Sequence, residues 1–182
     1  MAHIIIENEQ ELPGIIGLFN FDKTTAHPLS LLAETLLRGP SSLSSGEREI
    51  IASYVSGLNN CHFCHTSHGA AAAAHLDKDA PFINEIKQGL PNSEVVSPKL
   101  RALLNVAAAV QKGGKNVSPQ LIANAKTQGA TDHELHHTVL IAAAFCMYNR
   151  YVDGLGTWAP EPAEAFMPMG QLLAHQGYMA VG

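Results

Sequence analysis

The chain has 182 residues and a mass of 19.4 kDa, with 11 basic and 16 acidic side chains, a net charge of −5 and 10 histidines. That length can bury a core without disulfide staples, and the acidic balance argues against a nucleic-acid or anionic-membrane surface, both of which need a clustered basic face. The longest apolar stretches, Val106–Val110 and Val139–Met147, fall far short of the roughly 18 residues that span a bilayer.

The N-terminus has no basic residues ahead of its short apolar run, Ile4-Ile5-Ile6, so no secretory signal is expected. Three cysteines, an odd count, fit a reactive or metal-binding pair plus one spare better than a secreted disulfide framework. A cytoplasmic location is the expectation.

Taken in chain order, Pro28 and Leu29 open a stretch with leucines at helical spacing that Gly39-Pro40 stops. Ser44 or Ser45 can cap a second helix, with Glu47 and Glu49 in its dipole-favoured first turn and Ile50, Ile51, Tyr54, Val55 and Leu58 on its apolar face. Asn59-Asn60 ends it. From Cys61 to about Leu76 alanine dominates, predicting a helix whose small side chains allow a neighbour to come close.

A connector from Asp77 to Pro98 holds one short amphipathic piece, Phe82–Gln88, followed by turn signals at Pro91 and Asn92. Ser97-Pro98 and Ser118-Pro119 each place a cap before a proline at the first helical position. Thr131-Asp132-His133-Glu134 is a capping box that opens the longest helix, ended by Gly154. The proline- and glycine-rich tail after Trp158 reads as an extended arm, wrapped on a partner subunit. No strand alternation follows Ile6 and no internal repeat is found, so the class is all-α.

The densest chemistry is Cys61-His62-Phe63-Cys64-His65-Thr66-Ser67-His68. On a helix, Cys61, Cys64, His65, His68 and His75 project within an arc of roughly 100°, while His62 points elsewhere. Two thiols three residues apart at a helix start both meet influences that favour the thiolate: the positive end of the macrodipole and a neighbouring S–H donor. An ordinary thiol is only about 3% ionised at pH 7, so such help decides reactivity. A histidine one turn after Cys64 can take its proton, and a carboxylate from a neighbouring helix can polarise that histidine, which makes an activated nucleophile. Two other readings stay open on the residues alone. Cys61, Cys64 and His68 with His65 or His75 number enough for a zinc site, and the two thiols are also compatible with a purely structural pair. Cys146 reads as a buried, inert thiol. His133, His136 and His137 read as exposed or capping residues, and Arg38 and Arg150 as partners of carbonyls or acids.

The run Gly46-Glu47-Arg48-Glu49, eleven intervening residues, Cys61-x-x-Cys64, three more, then His68-Gly69-Ala70 resembles the core of the carboxymuconolactone decarboxylase superfamily, in its AhpD-like, peroxidase-related branch. Leu12–Ile16, Leu37–Pro40 and Asn149–Leu155 extend the resemblance over most of the chain. It implies a single AhpD-like helical bundle over residues 1–182, oligomeric, with an N-terminal helical extension (1–45), a redox-motif helix pair (46–76), a helical remainder (97–155) and the C-terminal arm (156–182). It also implies a thiol-dependent peroxidase acting on alkyl hydroperoxide or hydrogen peroxide. Carried over by motif position, Cys64 is the peroxidatic cysteine, Cys61 its resolving partner, and His68 and Glu49 the proton relay. Phe63 stands where the family's well-studied alkylhydroperoxidases carry a histidine, which implies a shorter relay.

No flavin, haem or nucleotide motif is visible, so no cofactor is expected, and the partners are a peroxide substrate and a reducing dithiol or thiol protein. The competing functions are a general dithiol–disulfide oxidoreductase, a decarboxylase of the same superfamily, and a zinc-binding or redox-sensing module without turnover. The vicinal dithiol argues against the decarboxylase, because acid–base chemistry on a carbon acid does not require it.

Overall fold

A computed structural model describes residues 1–90 and 94–181. The turn read at Pro91 and Asn92 lies outside the described residues. Among them the secondary structure is all helical: α1 (Ile15–Phe21), α2 (Lys23–Arg38), α3 (Ser45–Leu58), α4 (His62–Leu76), α5 (Pro81–Lys87), α6 (Pro98–Lys112), α7 (Pro119–Thr127), α8 (Asp132–Gly154) and α9 (Met167–Gln176), with short 3-10 turns between. No helix among the described residues is long and apolar enough to cross a membrane.

The centre of the molecule is the antiparallel pair α3 and α4. Ser44 caps α3 through a complete capping box with Glu47, which satisfies two otherwise orphaned N–H groups. The turn that reverses the chain passes through Asn60 at φ 59°, a left-handed conformation asparagine tolerates better than most residues. The two helices approach closely because glycines face the partner: Gly46 lies against Leu76 and His75, Gly57 against the His65 ring, and Gly69 against Ser53 and Ile83. Around the pair, α6 and α8 close the core on one side, where Phe145, Leu103 and Ile50 are all 1% exposed or less. Arg48, itself buried, donates to the carbonyls of Leu36 and Gly39 and so finishes the C-terminal end of α2.

Two readings of the sequence need correction. The helix expected to open at Pro28 begins at Lys23, capped by Asp22, whose carboxylate accepts from the Thr24 N–H at 2.9 Å, and Pro28 sits inside it. The tail read as an extended arm is helical over Ala163–Phe166, Met167–Gln176 and Tyr178–Ala180, and α9 lies along α4 of its own chain. Its prolines fall where a missing N–H costs little: Pro162 precedes the first 3-10 turn and Pro168 occupies the first turn of α9. The run Ala70–Ala73 is fully buried, and α9 covers it at Ala70, where a Cβ at Gly170 would lie 2.5 Å from the Ala70 carbonyl oxygen.

This contact is testable. Gly170→Ala forces α9 away from α4 and should cost about 1–3 kcal/mol of unfolding free energy in urea titration. A variant as stable as the parent would mean that α9 does not pack there.

Candidate active site

Glu49 and Ser53 stand one turn apart on α3 and, because α4 runs antiparallel, meet His68 and His65, three residues apart on α4. Glu49 is completely buried, and its Oε2 lies 2.9 Å from His68 Nδ1. Its other oxygen, Oε1, accepts from the hydroxyl of Tyr178 at 2.5 Å, and that hydroxyl also lies 3.1 Å from His68 Nδ1. A carboxylate can only accept, so Nδ1 of His68 is the atom that donates to Glu49. The ring is held edge-on against Phe145 and stacked on Tyr178 at 5.6 Å and 12°.

Cys64 lies one turn before His68 on the same helix, so their Cβ atoms stand roughly 5–6 Å apart. Both line a slender cavity of about 50 Å³ whose other walls include Ile15, Phe63, Phe145, Leu173, Tyr178 and Val181. It is almost wholly apolar and admits only a few water-sized groups at a time. Phe63, at the position where the resemblance places a histidine, is a wall of this cavity. Its ring packs on Phe166 and directly against Gly14, where any side chain would overlap it.

Cys61 occupies the N-cap position of α4 without a side-chain capping bond and is fully buried, while Cys64 is 3% exposed. At Cys61 the outcome is opposite to the thiolate-favouring influences expected for both sulfurs. Its thiol is pushed far above the ordinary range by the neighbouring Cys64 sulfur and by its removal from water. The pair is therefore asymmetric: Cys61 holds its proton beside the sulfur that faces the cavity.

The remaining histidines go elsewhere. His65 is buried with Nδ1 on the Ser53 hydroxyl and carbonyl, at 3.0 and 3.1 Å. His75 sits beside Gly46, and His62 bonds the Pro160 carbonyl at 2.7 Å. His133, His136 and His137 pack on one another at the start of α8, with His137 on Ser41, and none lines the cavity. Among the described residues no three His, Cys, Asp or Glu side chains converge as a metal-ligand set. Arg38 pairs with Glu34 and donates to carbonyls of α9, and Arg150 donates to the Cys146 carbonyl, as expected of them. Cys146 is half-buried and accepts a weak hydrogen bond from Asn59. Tyr178 is the residue sequence reasoning missed; a lone aromatic near the chain's end gives no periodic signal.

No protein-family model matches the chain, and no curated protein matches it. Solved structures do. A protein from Ralstonia eutropha JMP134, described as an alkylhydroperoxidase AhpD core and an uncharacterized peroxidase-related protein, superposes with a TM-score of 0.75 at 21% identity over 93% of this chain and 96% of its own. An uncharacterized peroxidase-related protein from Silicibacter sp. TM1040 gives 0.73 at 21% identity, over 86% of this chain and 82% of its own. A protein of unknown function from Agrobacterium tumefaciens, provisionally named an antioxidant defence protein AhpD, gives 0.67 at 20% identity, over 81% and 99% respectively. The all-α fold of this chain is thus the fold of the AhpD-like, peroxidase-related proteins, as the motif resemblance implied.

His65 supplies a pH test of the helix pair. Burial pushes its imidazole below the ordinary 6.5, and Nε2 has no partner, so protonation would bury an unpaired charge. The unfolded chain then binds the proton more readily than the folded one. The stability this residue contributes is complete above pH of about 6.5 and is lost as pH falls toward the lower folded value. The melting temperature should fall on acidification through this window, and His65→Asn, which cannot ionise, should flatten the slope; an unchanged slope would assign the effect to other groups.

Proposed function

We propose that the chain is a thiol-dependent peroxidase in which Cys64 is the peroxidatic sulfur, Cys61 resolves it, and His68 with Glu49 moves the proton. The observation that carries this reading is a buried carboxylate–imidazole pair one helical turn from a cavity-facing thiol, with the second, fully buried thiol three residues before it in the chain.

His68 Nε2 takes the Cys64 proton, and Glu49 stabilises the resulting imidazolium through Nδ1–H. The thiolate attacks the terminal oxygen of the peroxide, the O–O bond breaks, and the departing alkoxide or hydroxide takes the proton back from His68. Cys64 is then a sulfenic acid. Cys61 attacks that sulfur: an S–S bond forms, the S–O bond breaks, and the leaving hydroxide departs as water with the Cys61 proton. The sulfurs lose two electrons and the peroxide gains them. An external dithiol or thiol protein restores the pair by two exchanges.

Asymmetry between the sulfurs serves both halves. A protonated Cys61 avoids two like charges side by side and holds the proton that the second step releases as water. The apolar cavity excludes bulk water from the thiolate. Self-association belongs to the same proposal, since Phe21, Leu31 and Met147 leave 58, 50 and 43% of their surface exposed.

One equivalent of an alkyl hydroperoxide should convert the reduced protein to a Cys61–Cys64 disulfide, read by non-reducing peptide mapping. Cys61→Ser should stop at a trappable sulfenic acid, and Cys64→Ser should consume no peroxide. Peroxide that leaves the dithiol reduced would overturn the assignment. In stopped-flow oxidation, Glu49→Gln should slow the first step by about 10²-fold, within the range of a lost acid–base contribution.

A further inference from the structure

The relay has a third member that reaches it from the far end of the chain. We propose that Tyr178 is a positioning residue for the Glu49–His68 pair, and that the Glu34–Arg38 ion pair is the latch that holds its turn in place. The inference rests on the dithiol reading of the same site and adds to it a condition, that the C-terminal turn be closed.

Three observations support it. The Tyr178 hydroxyl has one proton, given to Glu49 Oε1, and its oxygen lies 3.1 Å from His68 Nδ1, so the ring proton meets two acceptors and the imidazole cannot turn over. Burial and the Glu49 carboxylate push the phenol well above its ordinary range, so it stays a donor throughout the working pH. For a carboxylate with no exposed surface, that hydroxyl replaces water.

The second observation is how the turn is held. The backbone N–H of Tyr178 donates to Glu34 Oε2 at 2.7 Å, Glu34 Oε1 accepts from Arg38 Nε at 3.0 Å, and Arg38 Nη1 donates to the carbonyls of Leu173 and Ala174 at the end of α9. One ion pair on α2 therefore fastens both the last turn of α9 and the 3-10 turn that follows it. Gly177, at φ 83°, is pressed against the Glu34 carboxylate, where a side chain would overlap it.

The third is that the same segment walls the cavity, through Leu173, Tyr178 and Val181. Lifting the turn opens a route to Cys64 and in the same movement withdraws the hydroxyl from Glu49. Access and relay assembly are thereby coupled: the site is complete only when closed. The charged and titratable groups that face Tyr178 are Glu49 on α3, His68 on α4, and Glu34 and Arg38 on α2.

Tyr178→Phe keeps the ring and removes the hydroxyl. The readout is the pH dependence of iodoacetamide alkylation at Cys64, followed by peptide mapping so that Cys146 is scored separately; it requires no peroxide. Without its donor the buried Glu49 carboxyl favours the neutral form, and support for the Cys64 thiolate weakens. The midpoint should move about one pH unit toward alkali, a roughly tenfold loss of rate at pH values below both midpoints. Arg38→Gln should move the profile in the same direction and also speed proteolysis after α9, which Tyr178→Phe should not. A parental profile in Tyr178→Phe, or in Arg38→Gln with the turn demonstrably freed, would overturn the inference. A parent that forms no disulfide with peroxide while the Tyr178→Phe shift persists would overturn the peroxidase reading alone.

Discussion

A single buried carboxylate organises this molecule. Glu49 has no exposed surface, lies in the middle of a helical bundle, and is acceptable there only because both oxygens are taken, one by the His68 imidazole and one by the Tyr178 hydroxyl. Those two donors come from different parts of the chain, 19 and 129 residues away. Satisfying Glu49 therefore fixes the α3–α4 register on one side and the C-terminal segment on the other.

The packing exists to make that geometry rigid. Glycines at 46, 57 and 69 let α3 and α4 approach until Glu49 can reach His68 and Ser53 can reach His65. The alanines of α4 make room for α9 on the opposite face, and α9 delivers the turn that carries Tyr178. The Cys61–Cys64 pair sits at the start of this clamped helix, with Cys61 sealed and Cys64 on the cavity. A catalytic constellation is most reproducible when its members ride on packed helices whose own rotamers are locked.

Much of this was legible from local chemistry. Ser44, Ser97, Ser118 and Thr131 each cap the helix their spacing announced, since a cap is decided by the few residues around it. The spacing of Glu49, Cys61, Cys64 and His68 carried the resemblance to the fold, because residues flanking one tight turn of a helical hairpin keep a fixed separation. The C-terminal segment was opaque for the opposite reason. Its prolines and glycine occupy permitted helix positions, which only the packed structure distinguishes from an irregular arm, and Tyr178 finds Glu49 through a long-range contact with no periodic trace. Pro28 misled similarly, lying within a helix that Asp22 starts earlier. The burial that sets Cys61 apart from Cys64 is likewise a product of packing and leaves no local signal.

The central proposal is that the Glu49–His68 pair accepts the proton of one sulfur, and only one, beside an apolar cavity. Ultraviolet thiolate absorbance, followed across a pH titration of the reduced protein and its Glu49→Gln variant, tests this without any substrate. The titration of the parent should contain a thiolate step that is absent from Cys64→Ser, and Glu49→Gln should move that step toward alkali. An identical titration in the parent and in Glu49→Gln would contradict the account.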